Sequence, residues 1–180
     1  MIKINHEEIM ETINMINGEN LDIRTITMGI SLLGCVRDSA EETAQKVYDF
    51  VCSKAENIVK VAADLSGEYG IPIVNKRVSV TPVSLITAAF PEKSPLVGKA
   101  LDNAAKTLGI DFLGGYSALV HKATAEYERI FIRTIPEVLA TTKRLCSSVN
   151  VGSTKTGINM DAVKMMGKVI TDTARLTADR

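Results

Sequence analysis

The chain has 180 residues, 46% of them hydrophobic, enough for one ordinary domain with a sizeable core. Its 21 basic and 21 acidic side chains balance, which argues against a dedicated nucleic-acid binder and against an anionic membrane surface as partner. No apolar run reaches the roughly 20 residues that a helix needs to span a bilayer, and no membrane partner is expected.

Aromatics make up only 4% and there is no Trp, so Ile, Val, Leu, Ala and Met must build the core. The first residues, Met1 to Glu8, lack the apolar stretch of a signal peptide and are acidic where a transit peptide is not. Cys35, Cys52 and Cys146 are odd in number and widely spaced. They read as reduced thiols, not as a disulfide framework, which points to the cytoplasm. With His6 and His121 as the only histidines, no His- or Cys-ligated metal centre is expected, and no cofactor is predicted. A hard-cation site of Asp and backbone oxygens remains open.

The first element is a helix over residues 1–20. Asn5 to Glu8 has capping-box form, Gly18 is a C-terminal cap, and Ile9, Ile13 and Ile16 share a face. The remainder, 21–180, reads as a single α/β domain. Asp22 to Ile30 is a strand. Ser39-x-x-Glu42 opens a long helix whose apolar positions run from Ala44 to Leu65, ended by Gly67 and Gly70. Ile71 to Val80 is strand-like but interrupted by Asn75-Lys76-Arg77, where an exposed edge or an interstrand ion pair is expected. Thr81-Pro82 starts a short helix to Phe90, and Ser94-Pro95 starts another, with Val97, Leu101, Ala104 and Leu108 inward.

Ile110 to Leu113 is a third strand, stopped by Gly114-Gly115. Ala123 to Thr134 is helical, and Thr134-Ile135-Pro136-Glu137 restarts a helix reaching Leu145. Ser147 to Val151 is the fourth strand. The last helix begins near Asn159 or Asp161, with Val163, Met166, Val169 and Ile170 on one stripe. Strands alternating with helices predict a parallel sheet. Four such strands do not close a barrel of the usual size and leave two edges needing cover. The chain stops on Ala178-Asp179-Arg180, directly after a helix. The expectation is an incomplete α/β barrel, part of a longer protein.

Ligands of parallel sheets sit beyond the carboxyl ends of the strands. Asn150, Gly152, Ser153 and Thr154 follow the fourth strand, where backbone amides and the coming helix end favour an anion. Ordinary turn and cap chemistry explains them equally well. Tyr116 and Ser117 follow the paired glycines and are pocket-lining candidates, with a plain turn as the equal alternative. Cys35 lies between the first strand and a helix start, a position that can lower a thiol pKa; a loop thiol without function is the default. Cys146, before its strand, is expected to be packed in the core, as is Cys52. Neither the P-loop spacing nor Gly-x-Gly-x-x-Gly occurs.

Several of these runs carry a family resemblance. They are Ile23 to Ile30 (IRTITMGI), Glu68 to Arg77 (EYGIPIVNKR), Asp111 to Val120 (DFLGGYSALV), Cys146 to Thr154 (CSSVNVGST) and Gly157 to Asp161 (GINMD). Together they resemble domain-of-unknown-function family 711. The resemblance implies a fold similar to the α/β barrel of pyruvate formate-lyase-type glycyl radical enzymes, an unassigned activity, and a longer protein of which this chain matches the N-terminal part. It carries over no catalytic residue: the radical glycine of those enzymes lies in a C-terminal loop, and no adjacent Cys pair is present here.

Two functions compete, with thiol chemistry at Cys35 as a third. One is a barrel binding a small polar or anionic metabolite, as an enzyme or otherwise. The other is a non-catalytic regulatory or assembly protein. In either case a homo-oligomer, or further C-terminal chain, is expected to cover the sheet edges. The unpaired strand edges and the Met-rich last helix motivate the second.

Overall fold

The computed structural model describes residues 6–18 and 23–179. The order of elements is α1 (His6–Asn17), β1 (Ile23–Ile30), α2 (Ala40–Ala55), α3 (Ile58–Tyr69), β2 (Ile73–Val80), α4 (Val83–Ile86), α5 (Ser94–Leu108) and β3 (Phe112–Leu119). Then follow α6 (Glu126–Thr141), β4 (Leu145–Asn150), the short strands β5 (Gly152–Ser153) and β6 (Gly157–Ile158), and α7 (Met160–Leu176). In α1, Ile9 and Ile13 are exposed; the proposed cap Asn5 lies outside the described residues.

β1 to β4 form one four-stranded sheet in chain order, and every pairing is parallel. The sheet is open, with β1 and β4 at its edges; it does not close into a barrel. Alternation along each strand divides the two faces. Met28, Ile30, Val78, Val80, Leu113, Tyr116, Ala118, Leu145 and Val149 point into one hydrophobic cluster shared with α2, α5, α6 and α7. The intervening residues, including Thr27, Arg77, Ser79, Cys146 and Ser148, stay exposed on the other face. A parallel sheet normally reads as apolar on both faces because helices cover both. Here the second face is bare, with Ile23, Phe112 and Leu119 exposed among its polar residues.

Several expectations need correction. The long helix is two helices, broken at Glu56-Asn57, where Asn57 turns the chain with φ −99° and ψ −3°. The turn redirects the buried stripe from Val47, Val51 and Ala55 on α2 to Ile58 and Ala62 on α3. Gly67 lies inside α3, and left-handed Gly70 ends it. β2 runs unbroken through Asn75-Lys76-Arg77. Lys76 forms an ion pair with Asp111 at 3.2 Å, and its backbone N–H also donates to that carboxylate at 2.8 Å. The Asp111 carboxyl is held below the usual carboxylate range, first by this backbone hydrogen bond.

β3 passes through Gly114-Gly115 instead of stopping there. Its register against β4 shifts between Gly114 and Tyr116, and Gly115 takes φ +130°, a bulge only glycine tolerates well. Pro136 sits inside α6 without ending it. A proline removes one helical hydrogen bond, but Phe131, Ile132, Ile135 and Val138 bury the same face on both sides of it. The helix stops at Thr141, and Leu145 begins β4. Thr81 is not a helix cap: its hydroxyl accepts the Leu32 N–H at 3.0 Å, tying the ends of β1 and β2.

Candidate functional site

The bare sheet face gathers small polar side chains around one cation. Strand register sets the rows. Arg77 stands between Thr27 and Phe112; Ser79 stands between Gly29 and Gly114, and Gly114 pairs in turn with Cys146. One step further along, Ser117 faces Ser148. Arg77, Ser79, Pro82, Gly114, Gly115, Ser117, Cys146 and Ser148 line a concave space of about 380 Å³. The glycines keep its floor low, since no side chain fills it.

Arg77 is exposed, and its guanidinium lies 5.9 Å from the centre of the Phe112 ring, within cation–π range. Among the described residues it has no carboxylate partner. The Ser79 and Ser148 hydroxyls likewise make no hydrogen bond to described protein atoms. Ser117 is nearly buried, and its hydroxyl donates to the Gly115 carbonyl at 3.3 Å. An unpaired guanidinium beside free hydroxyls is a donor set for a carboxylate or phosphate oxygen. Cys146, exposed on the second position of β4, adds a thiol to the same space. The expectation that it is packed is therefore wrong: β4 starts one residue before it, and alternation turns it away from the core.

The residues expected to form a site are dispersed. Ser117 alone joins this space. Tyr116 is fully buried on the helix side, its ring 4.7 Å from that of Phe131. Its hydroxyl shares hydrogen bonds with Thr134 at 2.7 Å and Ser94 at 3.1 Å. Burial pushes the phenol up to about 12, against the two hydroxyl bonds. Cys35 is buried in a 3-10 turn, Leu33–Cys35. Burial raises its thiol pKa despite Lys46 and Arg37, the opposite of what activation as a thiolate needs.

Asn150 ends β4, and Gly152, Ser153 and Thr154 belong to a small hairpin in which β5 and β6 pair antiparallel. Asn150 Oδ1 accepts the Gly152 N–H at 3.2 Å, and Ser153 Oγ accepts the Thr156 N–H at 3.1 Å. Thr156 Oγ1 donates to the His121 carbonyl at 3.1 Å. Thr154 is exposed at the turn. Asn159 caps α7 by accepting the Ala162 N–H at 3.2 Å, while its amide donates to the Val120 carbonyl at 2.8 Å. Turn and cap bonds thus occupy much of this group's polar capacity.

Arg77, Cys146 and Ser148 were not legible in the sequence as site residues: they lie along the strands, whereas the candidates follow them. The available signal was period-two alternation: Arg77-Val78-Ser79-Val80 and Leu145-Cys146-Ser147-Ser148-Val149 each place a polar residue between residues packed on the helices.

Residues 14–180 match the family described as Uncharacterised ACR (DUF711). The chain belongs to DUF711. It is 56% identical over 176 residues to a UPF0210 protein of Thermoanaerobacter sp. (strain X514), covering 97% of this chain and 39% of that protein. A UPF0210 protein of Ligilactobacillus salivarius (strain UCC118) is 56% identical over 170 residues, covering 94% and 38%. One from Clostridium botulinum (strain Alaska E43 / Type E3) is 55% identical over 178 residues, covering 98% and 40%. The chain thus spans about two fifths of the length of these curated relatives. The family carries no assigned activity. Among the described residues, no helix of this DUF711 chain is long and apolar enough to cross a membrane.

Proposed function

We propose that this segment of the DUF711 protein supplies one wall of a binding site for a small anionic metabolite, with Arg77 as the anchor. The observation that carries the reading is the unpaired Arg77 guanidinium in a concave space shared with Ser79, Ser117, Cys146 and Ser148. A carboxylate or phosphate would take two parallel N–H donors from Arg77 and further donors from the serine hydroxyls. The space is open on its far side, so the whole protein's remaining chain, or a second copy, would complete the enclosure. The unpaired thiols support a cytoplasmic setting.

A thermal-shift screen of the full-length protein against small carboxylates and phosphates tests this. Stabilisation by at least one anion, lost in Arg77→Gln, is expected. No stabilisation by any of them, or stabilisation unchanged in Arg77→Gln, overturns it.

A second reading, assembly without catalysis, draws support from one feature. Met160, Val163 and Ile170 leave exposed apolar side chains along one side of α7. Light scattering decides: a monomer at all accessible concentrations excludes an obligate self-interface.

A further inference from the structure

The outer surface carries a concentration of positive charge away from the sheet. α6 and α7 pack side by side, and a groove of about 850 Å³ runs between them. Arg129 and Arg133 stand one turn apart on α6. Lys164 and Lys168 stand one turn apart on α7. All four line the groove. Residues four apart on a helix are about 6 Å apart along its axis, and packed helix axes are about 8–10 Å apart. The four basic side chains therefore share the walls of one groove.

The local negative charge does not neutralise them. Asp161 and Asp172 also line the groove. Asp172 pairs with Arg175 at 4.0 Å, and Arg129 meets Glu126 only at 3.9 Å. Arg133, Lys164 and Lys168 have no ion-pair partner among the described residues. The chain as a whole is neutral, with 21 charges of each sign. This cluster is thus a local departure from the average, not a share of a general basic excess. Like charges held this close repel one another, and a polyanion between them relieves that repulsion. No aromatic side chain lines the groove, so no base-stacking platform accompanies the charges.

We propose that the α6–α7 groove binds a short polyphosphate chain, free or as the phosphate tail of a nucleotide, between the Arg129–Arg133 and Lys164–Lys168 pairs. The site is separate from the sheet face and does not depend on the function proposed for it.

Calorimetric titration of the folded chain with inorganic tripolyphosphate tests the proposal. Saturable binding is expected at low salt, falling steeply as ionic strength rises because the contacts are exposed. The double variant Arg133→Gln/Lys168→Gln should weaken it about tenfold or more, a loss readable as a change in Kd. Both residues are exposed, so the variant keeps its fold, checked by an unchanged Tm. In Arg77→Gln, which lacks the anchor of the sheet-face site, saturable tripolyphosphate binding sensitive to the double variant should persist, which separates this groove from that site. Adenosine triphosphate should bind with similar affinity, since only phosphates are read. Absence of saturable binding at low salt, binding indifferent to the double variant, or nucleotide binding without tripolyphosphate binding overturns the proposal.

Discussion

Gly115 lies against Val80 so closely that a Cβ at Gly115 would stand 2.7 Å from the Val80 carbonyl oxygen and still nearer its Cγ2. The bulge in β3 depends on this approach. Tyr116 turns inward on one side of it and Ser117 outward on the other. The same glycine thus sets both the core packing and one wall of the polar space.

Gly115→Ala is expected to destabilise the fold by roughly 2–5 kcal/mol, combining positive-φ strain with a clash against backbone. Chemical denaturation measures it. Gly114→Ala, where a Cβ meets nothing within 4 Å, should cost far less. Equal losses at the two positions would remove the bulge as the cause.

Tyr116 gives the fold an alkaline limit. Its folded pKa is about 12, above the ordinary value of about 10, so the folded state holds the phenolic proton more tightly. Its contribution is complete below about pH 10 and is lost as pH rises toward 12. Tyr116→Phe removes hydrogen bonds worth about 1 kcal/mol but should flatten the fall in Tm across that window. Tyr127, also raised, first by burial and then by Glu128, shifts stability in the same direction, so the wild-type-minus-variant difference is the informative quantity. A difference independent of pH from 9 to about 12 would contradict the assignment.

Asp111 acts at the other end of the scale. Its carboxyl is depressed by the Lys76 N–H and ammonium, so it stabilises above the unfolded value of about 3.9, and that contribution disappears as pH falls through the folded pKa. Asp111→Asn retains an oxygen acceptor for the Lys76 N–H but should lower Tm at neutral pH and lessen its dependence below about pH 4. Thermal melts at several acidic pH values provide the comparison.

The thiols should label in a fixed order. Cys146, exposed on the sheet face, is expected to react first with iodoacetamide at neutral pH, and buried Cys35 last. Peptide mapping reads the order. Cys146→Ser should abolish the fast phase. A fast phase on Cys35 would show that the turn carrying it opens readily.

The four strands were visible from their β-branched runs, and so was the alternation that makes the sheet parallel. Their limits were not. Paired glycines usually end a strand, and Gly114-Gly115 misled for that reason; tertiary contact with Val80 holds the bulge that keeps β3 going. Pro136 misled in the same way, because packing of α6 outweighs one missing hydrogen bond. The helix from Ala44 to Leu65 kept its apolar period across the break at Asn57, so periodicity could not reveal the change of direction. For the site, Ser117 was found and Arg77 was not. Arg77 read as a defect in a strand because the covering of only one sheet face is a property of the assembled layers.

The strand order has a consequence for folding. Each strand pairs only with those before and after it in the chain, as successive repeats do in a solenoid. Paired strands nevertheless lie a whole crossover apart in sequence, Ile23 pairing with Ile73 and Leu113 with Leu145, a non-local pairing that slows folding, while structure is lost stepwise from the ends. Backbone amides of β2 and β3 have pairing partners on both sides, while those of β1 and β4 have them on one. Amide exchange should consequently be slowest in the two inner strands and grade outward, making the binding face firmest where Arg77, Ser79 and Ser117 stand.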